Sequence, residues 1–203
     1  MTKFDQNSLF PATAMPDAEW WKHLWPRPEI VLRKVCIRPG MSAVDLCCGD
    51  GIFTAPMARM LEGRVTGVDI DPAMLARAKR HVKKQGGPDC TWVQGDARNL
   101  PGLLEEKVDA VLIANTFHGI PDKPEMVRGV KQVLKPGGLF IVINWHAQPR
   151  EETTVLGHAR GPDTALRMTP VETSKMIEAE GFTLETVAEL PPYHYGAVFR
   201  LPA

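Results

Sequence analysis

From about residue 41 onward, short and nearly continuous apolar runs alternate with stretches whose apolar positions recur every three or four residues. Met41–Cys47, Arg64–Asp69, Cys90–Gln94, Val108–Ala114 and Leu139–Trp145 read as buried strands. Between them, Ile52–Leu61, Pro72–Gln85 and Pro124–Leu134 read as helices. The clearest is Pro72–Gln85, with Asp71 as its N-cap, Pro72 in its first turn, and Met74, Leu75, Ala78 and Val82 along one side. Pro136-Gly137-Gly138 is expected to stop the helix before it. Ahead of this core, residues 1–27 read as an irregular arm holding Trp20, Trp21 and Trp25, with Pro26 and Pro28 at its end. A short helix from Glu29 to about Cys36 then leads to the turn Arg38-Pro39-Gly40. After the core, residues 146–169 are loop-rich and Pro170–Glu180 is a helix closed by Gly181. Thr183–Leu190 and Tyr193–Arg200 are strands around Pro191-Pro192.

Strands that are apolar on both faces and alternate with helices predict an α/β fold with a mostly parallel sheet covered on both sides. The last two strands are too close in sequence for a crossover, so they must run antiparallel. The expected fold is a Rossmann-like, seven-stranded, mostly parallel sheet with an antiparallel last strand and helices on both faces.

Composition refines this without changing it. The chain has 203 residues, enough for one ordinary domain, so we expect a single domain over 28–203 preceded by an arm, 1–27, that is a candidate lid. Lysine plus arginine equals aspartate plus glutamate, 24 each, which argues against a nucleic-acid partner. No apolar run reaches the roughly 18–20 residues needed to span a bilayer, and the first residues lack the apolar core of a secretory signal. A cytoplasmic protein with no membrane partner is therefore expected. Cys36, Cys47, Cys48 and Cys90 fit neither a disulfide framework nor a zinc motif and read as small buried apolar residues. His118, His146, His158 and His194 have no common helical spacing, so no metal site is expected.

The candidate chemistry lies at the strand ends. In VDLCCGDG, residues 44–51, a strand ending in an acidic residue feeds a glycine turn and then a helix. Ligands of open α/β sheets sit outside the carboxyl ends of such strands. The next strand ends in Asp69, where a carboxylate can accept hydrogen bonds from both hydroxyls of a ribose. The third ends in Gln94-Gly95-Asp96-Ala97, where Asp96 can accept from the exocyclic amine of adenine, and the fourth ends in Asn115. Four polar residues at successive strand ends converge on one crevice, which predicts a nucleoside-bearing ligand. A nicotinamide dinucleotide is the competitor, but the third glycine of G-x-G-x-x-G is missing: counted from Gly49, that position is Thr54.

The same residues resemble the class I S-adenosylmethionine-dependent methyltransferases. That family usually has an acidic residue followed by Gly-x-Gly-x-Gly; here the stretch is Asp45-Leu46-Cys47-Cys48-Gly49-Asp50-Gly51, with Cys47 at the first glycine position. Similar Cys-Cys-Gly-x-Gly turns occur in the small-molecule, menaquinone- and ubiquinone-biosynthesis-like branch. GVDIDPAMLARAK at 67–79, QGDARNLP at 94–101, VDAVLIANTFHGIPD at 108–122 and VLKPGGLFIVI at 133–143 extend the likeness over residues 41–145. The resemblance implies S-adenosylmethionine as cofactor. It implies that Asp45, Cys47 and Gly49 line the methionine part, Asp69 holds the ribose, and Ile70 packs on the adenine. Asp96 and Ala97 would read the adenine edge, and Asn115 would lie near the methionine amino group.

The acceptor is less legible, because displacement from a sulfonium needs alignment and a dry site more than a fixed catalytic group. A small-molecule acceptor methylated at oxygen, sulfur or carbon is expected, partly aromatic or apolar. The alternatives are a methyltransferase acting on RNA or protein, or a non-catalytic S-adenosylmethionine-binding protein. Asn115-Thr116-Phe117-His118 lacks the Pro-Pro-aromatic sequence of adenine amino-methylating enzymes, and all the cysteines lie in the cofactor half, away from an arsenic-binding position. His118, His146 and Tyr193 are the candidate catalytic residues, with Tyr193 and Tyr195 expected on one strand face. Arg160 and Arg167 are candidates for an anionic acceptor group.

Overall fold

The computed structural model describes residues 18–203. Its centre is a seven-stranded sheet built from β1 (Ala43–Leu46), β2 (Val65–Asp69), β3 (Thr91–Gln94), β4 (Val108–Ala114), β5 (Leu134–Trp145), β8 (Thr183–Leu190) and β9 (His194–Arg200). The spatial order is β3-β2-β1-β4-β5-β9-β8. β1 pairs in parallel with β2 and β4, β2 with β3, and β4 with β5, whereas β9 runs antiparallel to both β5 and β8. The order reverses between β1 and β4, which places the crevice of an open α/β sheet at their carboxyl ends.

Side-chain alternation divides the core into two layers. Val111, Ile113, Phe140 and Val142 face α5 (Lys123–Val133) and α6 (Pro170–Glu178). Ala110, Leu112, Ile141 and Ile143 face α1 (Ala18–Leu24), α2 (Pro28–Lys34) and α3 (Thr54–Met60). The apolar side of α4 (Pro72–Lys84), with Leu75, Ala78 and Val82, packs beside Trp92 of β3. Helix starts follow local chemistry. The Asp71 carboxylate accepts from the Ala73 amide, and Thr169 with Glu172 forms a reciprocal capping box on α6.

Several local expectations are corrected. The arm is not irregular throughout: residues 18–24 form α1, and Trp20, Trp21 and Trp25 are buried. The rest of the arm, residues 1–17, lies outside the described residues. Pro136-Gly137-Gly138 does not form a loop after α5, because that helix ends at Val133 and β5 begins at Leu134. Leu134 pairs with Val108, and a shift in register before Ala110 absorbs the proline and glycines. The loop-rich stretch contains a small hairpin, β6 (Thr154–Val155) with β7 (His158–Ala159). Of the four cysteines, Cys48 is buried and the other three are half-exposed, so the buried reading holds for one. Tyr193 and Tyr195 do not share a face. Tyr193 precedes β9 in a turn and stacks on Trp145, while the buried Tyr195 hydroxyl reaches Thr173 of α6 at 2.6 Å. Among the described residues, no helix is long and apolar enough to cross a membrane.

Candidate functional site

The first turn of the site is shaped by backbone geometry. Cys47 and Gly49 adopt left-handed backbones with φ of 59° and 55°, and Gly51 has φ of 85°. A Cβ at Gly51 would meet Ala78 of α4 at 3.0 Å, so the loop can approach that helix only with glycine there. Cys47, at the position where a glycine is usual, keeps the left-handed conformation at a strain cost of about 1–2 kcal/mol.

Carboxylates secure this loop. The Gly49 amide donates to Asp69 Oδ2 at 2.8 Å, and the Asp71 amide donates to Asp69 Oδ1 at 2.9 Å. The Gly95 amide donates to the Asp69 carbonyl at 3.0 Å, which joins the ends of β2 and β3. Asp45 is buried and accepts from the Thr54 hydroxyl at 2.5 Å. Burial drives its pKa up to about 7; the Thr54 bond opposes this, and the nearby Asp69 and Asp50 carboxylates add to it. Burial also raises Asp69, against the backbone amides that stabilise its charge. Asp96 is held below the usual carboxylate range by Arg98, whose guanidinium grips both oxygens, with Nη2 at 2.5 Å from Oδ2. Asp96 therefore enters the site already paired, a condition that the sequence did not reveal.

A cavity of about 220 Å³ opens between the ends of β1 and β4. Asp45, Cys47, Gly49, Asn115 and His118 line it, as do Trp20 and Trp21 of the arm expected as a lid; Asp50, Phe53, Trp145 and Pro162 line it too and were not singled out in the sequence. Asp69, Ile70, Asp96 and Ala97 lie beyond the cavity, on the neighbouring strand ends, in contact through the Gly49–Asp69–Gly95 chain of hydrogen bonds. Asn115 has φ of 58°, and its Oδ1 is buried without a partner among the described residues. A sealed carbonyl oxygen on the wall of a cavity calls for a ligand donor such as an ammonium group. Asp45 and Asp50 line the cavity and Asp69 ends the neighbouring strand, a carboxyl-rich setting that suits a ligand carrying a sulfonium and an ammonium. These features fit S-adenosylmethionine.

His118 is 5% exposed, and its Nδ1 lies 2.9 Å from Asn144 Oδ1. Burial lowers its pKa to about 4; the Asn144 bond opposes this, and Lys123 and Arg167 reinforce it. The ring is therefore neutral at pH 7. His146 and Tyr193 do not line the cavity. His146 Nε2 meets the exposed Glu189 carboxylate at 3.0 Å, and the Tyr193 hydroxyl donates to the Thr154 carbonyl at 2.8 Å. Tyr193 thus braces the β6–β7 hairpin, and His146 ties the end of β5 to β8. Arg167 is buried too: it donates to the Pro162 and Arg160 carbonyls and to the Thr153 hydroxyl, and it covers the Trp145 ring at 5.1 Å. Arg160 covers Trp20 at 5.5 Å. Both arginines are thus engaged in holding the insert against the cavity walls. Among the described residues, no group of three His, Cys, Asp or Glu side chains is placed to hold a metal ion.

Two signals could have disclosed more of the site. Asn144 is a polar residue in the otherwise apolar run Leu139–Ile143 and Trp145, and such a residue demands a partner. Thr54, nine residues after Asp45, sits where the first helical turn returns to the strand end.

Comparison with known proteins agrees with this geometry. A family profile described as a methyltransferase domain matches residues 43–138. An uncharacterized methyltransferase of Synechocystis is 30% identical over 162 residues, covering 77% of this chain and 73% of the relative. A demethylmenaquinone methyltransferase of Geobacillus stearothermophilus is 30% identical over 124 residues, and the match covers 60% of this chain and 52% of that protein. The chain thus spans about half the length of that quinone-named relative. In three dimensions, an S-adenosylmethionine-dependent methyltransferase from Aquifex aeolicus aligns over 93% of this chain and 100% of its own, with a TM-score of 0.75 at 21% identity. By sequence relationship, fold and the donor set of its crevice, the chain belongs to the class I S-adenosylmethionine-dependent methyltransferases.

Proposed function

We propose that this enzyme methylates a small aromatic acceptor carrying an ionisable hydrogen on oxygen, sulfur or carbon, with a phenol or hydroquinone as the leading class. The observation that carries this reading is His118: a neutral imidazole in the wall of a cavity that Trp20, Trp21, Phe53 and Trp145 also line. Indole and phenyl faces favour a planar apolar ring. The relative named for demethylmenaquinone lends support to a hydroquinone-like acceptor. A cavity of about 220 Å³ suits a compact ring system better than a peptide or a nucleic acid.

Bound S-adenosylmethionine supplies an electrophilic methyl group on a good leaving group. Asp69 would receive the ribose hydroxyls, Ile70 and Ala97 would flank the adenine, and Asp96, beside Arg98, would accept from the adenine amine. Asp45 and the unpartnered Asn115 Oδ1 would receive the methionine ammonium, with Cys47 and Gly49 as the backbone wall. His118 accepts a hydrogen bond from the acceptor's O–H and so aims the oxygen lone pair along the displacement line. Transfer of the methyl group to that oxygen would break the sulfonium C–S bond, its electron pair leaving on sulfur, and would make the hydroxyl an acid far stronger than imidazolium. A base whose pKa lies near 4 is then sufficient to take the proton. Trp20 and Trp21 on α1 exclude water from one side, and on this reading the described part of the arm, residues 18–27, acts as the lid.

The test is calorimetric titration with S-adenosylhomocysteine and with NAD, followed by transfer of labelled methyl from S-adenosylmethionine to 1,4-naphthalenediol, 4-nitrophenol and thiophenol. Micromolar S-adenosylhomocysteine binding, no NAD binding, and label on at least one aromatic acceptor are expected. Binding without transfer to any of the three would remove the acceptor assignment.

A further inference from the structure

Asn144 lies in the carboxyl-terminal half of β5, fully buried, opposite Tyr195 in the register with β9. Its side-chain oxygen has two neighbours. The Trp145 backbone N–H donates to it at 3.1 Å, and His118 Nδ1 lies 2.9 Å away. A backbone N–H can only donate, so the atom facing it must be the carbonyl oxygen of the amide. The same oxygen can only accept, so His118 Nδ1 must carry the hydrogen. A neutral imidazole has one N–H, which leaves Nε2 as a bare lone pair. No hydrogen bond to Nε2 occurs among the described residues, and His118 lines the cavity.

We infer that Asn144 is a positioning residue, which locks His118 in its Nδ1–H tautomer and so presents the unprotonated Nε2 to the methyl acceptor. This rests on reading His118 as the group that receives the acceptor's proton. The Asn144 amide nitrogen is itself buried without a well-formed hydrogen bond, with the Tyr195 hydroxyl as a polar neighbour. The strand is apolar from Leu139 to Ile143, and a valine or isoleucine at 144 would continue it without that unpaired donor. The polar residue is thus a poor choice for packing and a good one for fixing a tautomer. The backbone holds it firmly: the Asn115 amide donates to the Ile143 carbonyl at 2.8 Å, so the turn after β4 and the end of β5 move together. Lys123 of α5 and Arg167 of the insert are the cationic groups around the imidazole and disfavour its protonated form, while His194 of β9, a titratable neighbour, is itself kept neutral by burial. None of them sets which nitrogen carries the hydrogen, and Asn144 does.

The test is nitrogen-15 NMR of histidine-labelled enzyme with S-adenosylhomocysteine bound, combined with kinetics on 1,4-naphthalenediol. Wild type is expected to show His118 with a protonated Nδ1 and a pyridine-like Nε2 at pH 7. Asn144→Leu is expected to lose that preference and at least tenfold of kcat, with acceptor KM and S-adenosylhomocysteine affinity within twofold of wild type. Asn144→Asp keeps an acceptor at the same place. It should retain the tautomer, restore kcat to within about threefold at pH 8, and move the acid limb of the pH profile upward. A wild-type His118 protonated on Nε2 overturns the inference, as does Asn144→Leu with wild-type kcat when His118→Gln is inactive. If Asn144→Leu does not fold, an acid limb that stays in place in Asn144→Asp overturns it. Wild-type turnover by His118→Gln instead overturns the proton-acceptor reading beneath it.

Discussion

The Gly49 amide donates to the Asp69 carboxylate across 2.8 Å, and this bond ties the glycine turn after β1 to the end of β2. One carboxylate thus shapes the loop and keeps lone pairs for a ligand. Asp69→Ala should weaken S-adenosylhomocysteine binding by about 1–3 kcal/mol, the cost of unmade ribose hydrogen bonds plus an unsatisfied amide. Calorimetry on the folded variant checks this, and unchanged affinity would contradict the ribose assignment.

Asp45 links the site to stability. Its folded pKa is raised from 3.8 to about 7, chiefly by burial. Below the unfolded value the carboxyl is protonated in both states and its contribution is fully present. As pH rises toward about 7 that contribution is lost, because the folded group resists ionising. At about 1.4 kcal/mol per pH unit, the loss approaches about 4 kcal/mol. Asp45→Asn should show no such loss. Urea denaturation of the ligand-free proteins should therefore find the variant gaining on wild type between pH 4 and pH 8. The same titration should make wild-type S-adenosylmethionine affinity rise with pH, since the ionised form favours a cationic ligand.

His118 and His146 should separate cleanly. His118→Ala is expected to lower turnover by about 10²–10⁴-fold while sparing S-adenosylhomocysteine affinity. His146 contacts Glu189, which is 73% exposed, and lies outside the cavity. His146→Ala should keep turnover within about twofold and stability within about 1 kcal/mol. Equal kinetic loss in both variants would show that the cavity's boundary is drawn wrongly.

Cys47 holds a left-handed φ of 59° that glycine adopts freely. Cys47→Gly should relieve strain of about 1–2 kcal/mol and forfeit about 0.5–1 kcal/mol through added freedom in the unfolded chain. A net gain of up to about 1 kcal/mol in denaturant midpoint analysis is expected, with cofactor affinity preserved. A net loss would mean that the thiol's contacts outweigh the backbone strain.

The sheet was legible because β1, β2, β4 and β5 are buried on both faces and their apolar runs end in polar residues at one edge. Asp45, Gly49, Asp69, Asp96 and Asn115 could be placed at that edge from the sequence for that reason. α1 was not legible: seven residues with adjacent tryptophans carry little helical period, and their burial depends on partners far along the chain. The junction at Val133–Leu134 was misjudged because proline and glycine usually interrupt, whereas here a shifted register with Val108 accommodates them. His146 and Tyr193 looked equivalent to His118 in sequence. Which side of β5 and of the turn before β9 each would face depends on packing against Glu189, Thr154 and Trp145, residues distant in the chain.

Three of the five tryptophans, Trp20, Trp21 and Trp145, wall the cavity, and arginine guanidinium groups lie over Trp20 and Trp145. Indole emission responds to nearby charge and to water, so the crevice carries its own optical reporter. A cationic donor or an aromatic acceptor entering beside these rings should change emission intensity and wavelength, while Trp25 and Trp92, outside the cavity, supply a steady background. Occupancy can thus be followed in the native protein by light alone, before any acceptor has been identified.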